Sequence, residues 1–98
     1  MIVHDSAKEE VWKALEMYDL IQPELASSFR RELASAFARI QTNPRLFAEE
    51  EGGERYCMLS RFPYTVVYVE LDEAIWVSAV AHQKRRPRYW KHRKTEGE

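Results

Sequence analysis

The apolar positions change their period halfway along the chain. Up to residue 42 they recur every three or four residues, and from residue 55 they alternate or run together. Val11, Trp12, Leu15 and Tyr18 stand at helical spacing, with Lys8, Glu9, Lys13 and Glu16 elsewhere around the wheel. Asp5-Ser6 offers an N-cap, and Ser6 with Glu9 has the spacing of a capping box. This helix is predicted to end near Leu20-Ile21. Pro23 suits the first turn of a second helix, and Glu24 is favourable near the positive end of its dipole. Leu25, Phe29, Leu33, Phe37 and Ile40 form its apolar stripe. Ala26, Ala34, Ala36 and Ala38 allow another element to approach closely, and Asn43-Pro44 stops the helix. A link this short folds the two helices into an antiparallel hairpin.

The rest of the chain reads as strands. Ile2-Val3-His4 is a short apolar start, and Glu49-Glu50-Glu51-Gly52-Gly53 is a polar turn. Residues 55–60 alternate loosely, and Arg61-Phe62-Pro63-Tyr64 has the composition of a hairpin turn. The run from Tyr64 to Val69 is rich in β-branched and aromatic residues. Leu71-Asp72-Glu73-Ala74 turns the chain again. The continuous apolarity of Ile75 to Ala81 predicts a central strand, the last of a meander. The order β-α-α-β-β-β gives an α+β fold, a helical hairpin packed on one face of a small antiparallel sheet. Residues 1–90 are expected to form a single domain, and residues 91–98 a flexible tail, basic and then polar.

Composition narrows the function. Ninety-eight residues allow one core. The start of the chain does not resemble a signal peptide, and no apolar run reaches the roughly 20 residues of a membrane span. Cys57 is the one cysteine, so no internal disulfide forms, and a reducing cytoplasm is the expected setting. No His/Cys/Asp/Glu group has metal-ligand spacing, and no glycine-rich phosphate loop occurs, so neither metal nor cofactor is expected. Net charge is −1, but residues 1–53 carry a balance of −4 and residues 54–98 one of +3. Two faces of opposite sign are expected, an arrangement that orients encounter with a charged partner.

The chemistry concentrates after the last strand. Between Gln83 and Lys94 stand seven Lys/Arg and no acid, interleaved with Tyr89, Trp90 and His92. Cations beside aromatic faces suit a polyanion or an acidic partner. Trp90 is expected to fold back as an apolar anchor rather than stack on a base. Tyr64 and Tyr68 share one strand face as half-buried packing residues. Arg61 is expected to pin its hairpin by pairing with a carboxylate or a backbone oxygen, its alternative being to extend the basic face. His82 ends a strand and bonds a neighbour in one reading. In the other it carries protons, since histidine titrates close to neutral pH.

Taken together, Asn43-Pro44-Arg45-Leu46-Phe47, the turn Arg61-Phe62-Pro63-Tyr64, the run Val66-Val67-Tyr68 and the closing His82 to Trp90 resemble the RelE/ParE family of type II toxin–antitoxin toxins. The resemblance covers nearly the whole chain. It implies a bacterial cytoplasmic toxin held inactive by a cognate antitoxin that wraps it. RelE-like members cut messenger RNA on the ribosome, whereas ParE-like members inhibit DNA gyrase. The basic positions of the nucleases fall here at Tyr56, Met58 and Thr65, and only Arg85 has a clear counterpart. Tyr89 lies near the position of the tail tyrosine, out of register. The chain thus stands nearer the ParE side, with Arg61, Lys84, Arg85, Arg86, Arg88, Tyr89 and Trp90 expected to bind a target such as gyrase. The alternative is a metal-independent endoribonuclease using His82, Arg85 and Tyr89. A third reading is a degenerate toxin that only binds its antitoxin.

Overall fold

The computed structural model describes residues 1–93. The elements run β1 (Ile2–Val3), α1 (Asp5–Ile21), α2 (Pro23–Thr42), β2 (Arg55–Met58), β3 (Tyr64–Leu71) and β4 (Ala74–His82). This is the expected order and an α+β fold. Strands β2, β3 and β4 form the antiparallel meander, but β1 joins it parallel to β4, so the sheet is mixed, in the order β1-β4-β3-β2. The parallel pairing follows from connectivity. The α1–α2 hairpin and two further strands lie between β1 and β4, enough chain for a crossover.

Strand β4 is central, as its apolarity predicts. Its partner β1 covers only Trp76 and Val77, and the His4 N–H extends the cover by donating to the Val77 carbonyl at 2.9 Å. Just beyond, the ladder with β3 slips: Val67 faces Ala79 while Tyr68 faces Val77, which leaves Ser78 as the extra residue of a bulge. From Ser78 onward, no strand among the described residues lies beside the edge of β4 away from β3.

The helices cover one face. Ala7 and Ala14 of α1 and Phe29, Leu33, Ala36 and Ile40 of α2 pack on Cys57, Val66, Tyr68, Val77 and Val80. Small residues on α1 let it sit close, and large ones on α2 fill the space beneath. Tyr18, Phe29, Phe62 and Tyr64 interlock, largely edge to face, with centroids 5.1–6.4 Å apart. Tyr64 and Tyr68 are fully rather than half buried, and the Tyr68 hydroxyl donates to the Pro44 carbonyl at 2.6 Å, tying down the loop after α2.

Some local expectations change. The cap of α1 is His4, not Asp5 or Ser6: its Nδ1 accepts from the Ser6 N–H at 3.0 Å. Trp12 is 63% exposed, because the buried stripe of α1 runs through Ala7, Val11, Ala14 and Tyr18, and Trp12 stands one position off it. Ala34 and Ala38 likewise face outward, leaving Ala26 and Ala36 as the close contacts of α2. Among the described residues no helix is long and apolar enough to cross a membrane.

Two measurements follow. The β3–β4 turn has positive φ at both central residues, 50° at Asp72 and 63° at Glu73, the backbone of a type I′ turn that favours glycine. Glu73→Gly is expected to raise stability by about 1 kcal/mol, read as a higher urea midpoint at unchanged slope. The second concerns alkali. All five tyrosines, Tyr18, Tyr56, Tyr64, Tyr68 and Tyr89, are held above their ordinary range, with burial the first cause. As pH rises past about 10, the unfolded chain loses these protons before the folded one does. Their contribution is complete below that pH and is lost above it. Urea midpoints are expected to fall there, with tyrosinate absorbance appearing together with unfolding. Free titration of every tyrosine in a folded chain would refute this.

Candidate functional site

The basic segment leaves β4 through a tight turn. The Gln83 N–H donates to the Pro63 carbonyl at 2.8 Å and the Arg85 N–H to the His82 carbonyl at 3.0 Å. The Lys84 N–H donates to His82 Nδ1 at 3.0 Å, which leaves the ring proton on Nε2, and the ring stands edge-on to Tyr64 at 5.1 Å. Arg88 takes a positive φ of 61°, and the Lys91 and Arg93 N–H groups then bond back to the Arg88 and Trp90 carbonyls at 3.0 and 2.8 Å. These turns reverse the chain over the sheet.

Trp90 lands on the face opposite the helices. It is 8% exposed and packs on Val67, Ala79 and Ala81, with Tyr56 and Tyr89 edge-on at 5.9 and 5.2 Å. Its indole N–H meets no acceptor among the described residues, so apolar contact alone holds it. Tyr56, one position where the nucleases carry a basic residue, is a wall of this pocket. Met58 and Thr65, the other two, are cross-strand partners on the same sheet. The apolar floor beneath Trp90 itself is Val67, Ala79 and Ala81.

The strongest polar feature is Glu10 of α1. Its Oε1 accepts from the Val80 N–H at 2.9 Å and from Arg93 Nη1 at 3.2 Å. Its Oε2 accepts from the Tyr89 hydroxyl at 2.5 Å and from Arg93 Nη2 at 3.0 Å. Arg93 Nη1 also donates to the carbonyl of Ser78, the bulge residue, at 2.9 Å. The side chains of Arg93 and Glu10 are 13% and 14% exposed, so the pair is fork-to-fork and largely removed from water. Together they fill the bare edge of β4. Burial, then the bond to Glu10, pushes the Tyr89 hydroxyl far above its ordinary range. The Tyr89 ring in turn carries Arg85, whose guanidinium sits 3.9 Å from the ring centroid, and Arg93 at 5.1 Å.

The residues expected to act divide into groups. His82, Arg85 and Tyr89 line one cleft of about 200 Å³, together with Glu10, Lys13 and Tyr64. Arg61 is apart from them: its Nε lies 3.6 Å from Glu32 Oε1, and Glu32 Oε2 accepts from the backbone N–H groups of Ser60 and Arg61. Glu32 thus pins the β2–β3 turn to α2. Arg88 reaches Glu51 at 3.9 Å, an exposed pair of little worth to stability. Lys84 and Arg86 are exposed and form no ion pair among the described residues. Cys57 is buried under the helices, its thiol pushed up by that burial against the opposing Arg39, and it does not line the cleft. Among the described residues no group of three His, Cys, Asp or Glu is placed to hold a metal ion.

Sequence reasoning missed Glu10, Glu32 and Arg93. Glu10 had a signal: it lies three residues after Ala7 and four before Ala14, an acid on the buried face of α1. Arg93 had none, since it stands in a stretch that reads as solvated tail. Of the segment expected to be flexible, Arg93 is packed against the domain, and residues 94–98 lie outside the described residues.

No curated protein matches the chain significantly. Residues 2–87 match the family described as the ParE toxin of the type II toxin–antitoxin system, parDE. The match runs from β1 through the helical hairpin and the whole meander into the basic segment, so the chain belongs to the ParE family of type II toxin–antitoxin toxins.

Proposed function

We propose that this toxin acts by binding and inhibiting a macromolecular target, DNA gyrase first among them, through the surface built on residues 84–90. A cognate antitoxin neutralises it in the bacterial cytoplasm by covering that surface. One observation carries the reading. The sheet positions where nucleases of the wider family hold cations are occupied by Tyr56, Met58 and Thr65, and Tyr56 packs against Trp90. With Tyr89 keeping its proton for Glu10, the cleft offers a cation and an imidazole but no ready phenolic acid or base. Lys84, Arg85 and Arg86, by contrast, are displayed on a braced segment, as an electrostatic contact surface requires.

The ribonuclease reading keeps one supporting observation, that His82 and Arg85 share a cleft. Such an enzyme needs His82 as its proton carrier and Arg85 to neutralise the phosphate.

Replacing Arg85, Arg86 and Arg88 together by alanine is expected to abolish growth inhibition and leave the melting curve nearly unchanged. Trp90→Ala is expected to cost about 3 kcal/mol, the scale for removing a buried tryptophan. Equal destabilisation in the two variants would contradict the division into contact and anchor residues.

The two mechanisms part on His82→Gln. An inhibitor keeps its toxicity, blocks supercoiling by purified gyrase and leaves messenger RNA intact by primer extension. A nuclease loses about 100-fold or more in cleavage. Discrete cuts in translated messages that vanish with His82→Gln would overturn the proposal. A chain that binds its antitoxin yet never slows growth is the degenerate toxin.

A further inference from the structure

Three donors from the end of β4 and the segment after it meet on one carboxylate of α1, 70 to 83 positions away. The Val80 N–H, the Tyr89 hydroxyl and the Arg93 guanidinium all donate to Glu10. We propose that Glu10 is the positioning residue of the target-binding surface: it fixes, through Tyr89 and Arg93, the segment that presents Arg85. The inference rests on the reading of that segment as the contact surface.

Glu10 lines the cleft beside Arg85, but its side chain is only 14% exposed and both carboxylate oxygens are taken by donors of this chain, so it acts through others. Its bond to the Tyr89 hydroxyl fixes the far end of the ring on which the Arg85 guanidinium lies, 3.9 Å from the centroid. Its pairing with Arg93 closes the segment at its far end, where Arg93 also reaches the Ser78 carbonyl. Trp90, between the two, is held by apolar contact alone, which fixes depth but constrains rotation weakly. Gln83 fastens the start of the segment to the Pro63 carbonyl and Arg93 also reaches Ser78, but the side-chain bonds of Tyr89 and Arg93, on either side of Trp90, converge on Glu10. Glu10 is outside the apolar cluster between helices and sheet, so its loss falls on residues 83–93 before it falls on the core. Removing the charge leaves the Arg93 guanidinium buried without its counter-ion and the Val80 N–H without its acceptor, both costly. A glutamine of equal size offers one acceptor oxygen and turns an amide N–H₂ towards groups that are themselves donors.

The test uses the full chain, with amide hydrogen exchange resolved along the sequence and growth inhibition as the second readout. In Glu10→Gln, amides of residues 83–93 are expected to exchange at least about tenfold faster, the equivalent of one hydrogen bond to a charged group. Amides of β3 should keep their protection, and toxicity should fall by a similar factor. Tyr89→Phe removes only the oxygen bonded to Glu10 and leaves a ring beneath Arg85. It should loosen the same segment by a smaller factor, and it carries the test if Glu10→Gln does not fold. Unchanged exchange in residues 83–93 of either variant overturns the proposal. So does equal acceleration in β3 and the segment, the mark of a merely structural carboxylate, and so does a loosened segment with full toxicity. The triple alanine variant at Arg85, Arg86 and Arg88 separates the two readings. If it remains toxic, the contact-surface reading fails, whereas a rigid segment in Glu10→Gln beside a harmless triple variant sinks only the role of Glu10.

Discussion

Everything in this small fold answers to the needs of β4. The strand is apolar on both faces and bare along one edge after Val77. Each exposure has its own cover. The helical hairpin buries one face and Trp90 the other. The edge is beyond the reach of the two-residue β1, and Glu10 and Arg93 take up the backbone groups of Val80 and Ser78 there. An unpaired strand edge wastes hydrogen bonds and invites foreign strands. A carboxylate and a guanidinium, one acceptor and one donor, supply what a neighbouring strand would have.

This makes the basic segment a part of the fold. A run of cations in solvent would sample many orientations and lose entropy on binding. Here the backbone is fastened by an apolar anchor at Trp90 and by ionic bonds at Arg93, and the Arg85 guanidinium rests on the Tyr89 ring. The Tyr89 hydroxyl takes part in this fastening through its bond to Glu10.

The charge asymmetry between the two halves acquires a different meaning. Part of it is spent inside the molecule. Acids of the first half, Glu10, Glu32 and Glu51, pair with Arg93, Arg61 and Arg88 of the second. Among the described residues of the basic segment, Lys84, Arg85, Arg86 and Lys91 are exposed and form no ion pair, and Arg85 lines the cleft between α1 and the segment. Arg61, grouped with them by charge alone, belongs to the pinned turn.

The periodic features were legible from the residues because they are local. Helical spacing from Val11 to Tyr18 and from Leu25 to Ile40, Pro23 at a helix start, and β-branched runs flanked by turns determined the elements, their order and the family to which they belong. The central place of β4 was legible too, since apolarity on both faces of a strand has no other use. Only the tertiary structure decided the parallel pairing of β1, the bulge at Ser78 and the junction of Glu10 with Tyr89 and Arg93. The last joins residues about eighty positions apart, and no pattern within a helix or a tail registers a partner at that distance. Whether an acid on a helix meets water or a buried guanidinium depends on which elements fold over it, and that is settled only when the chain has closed around β4.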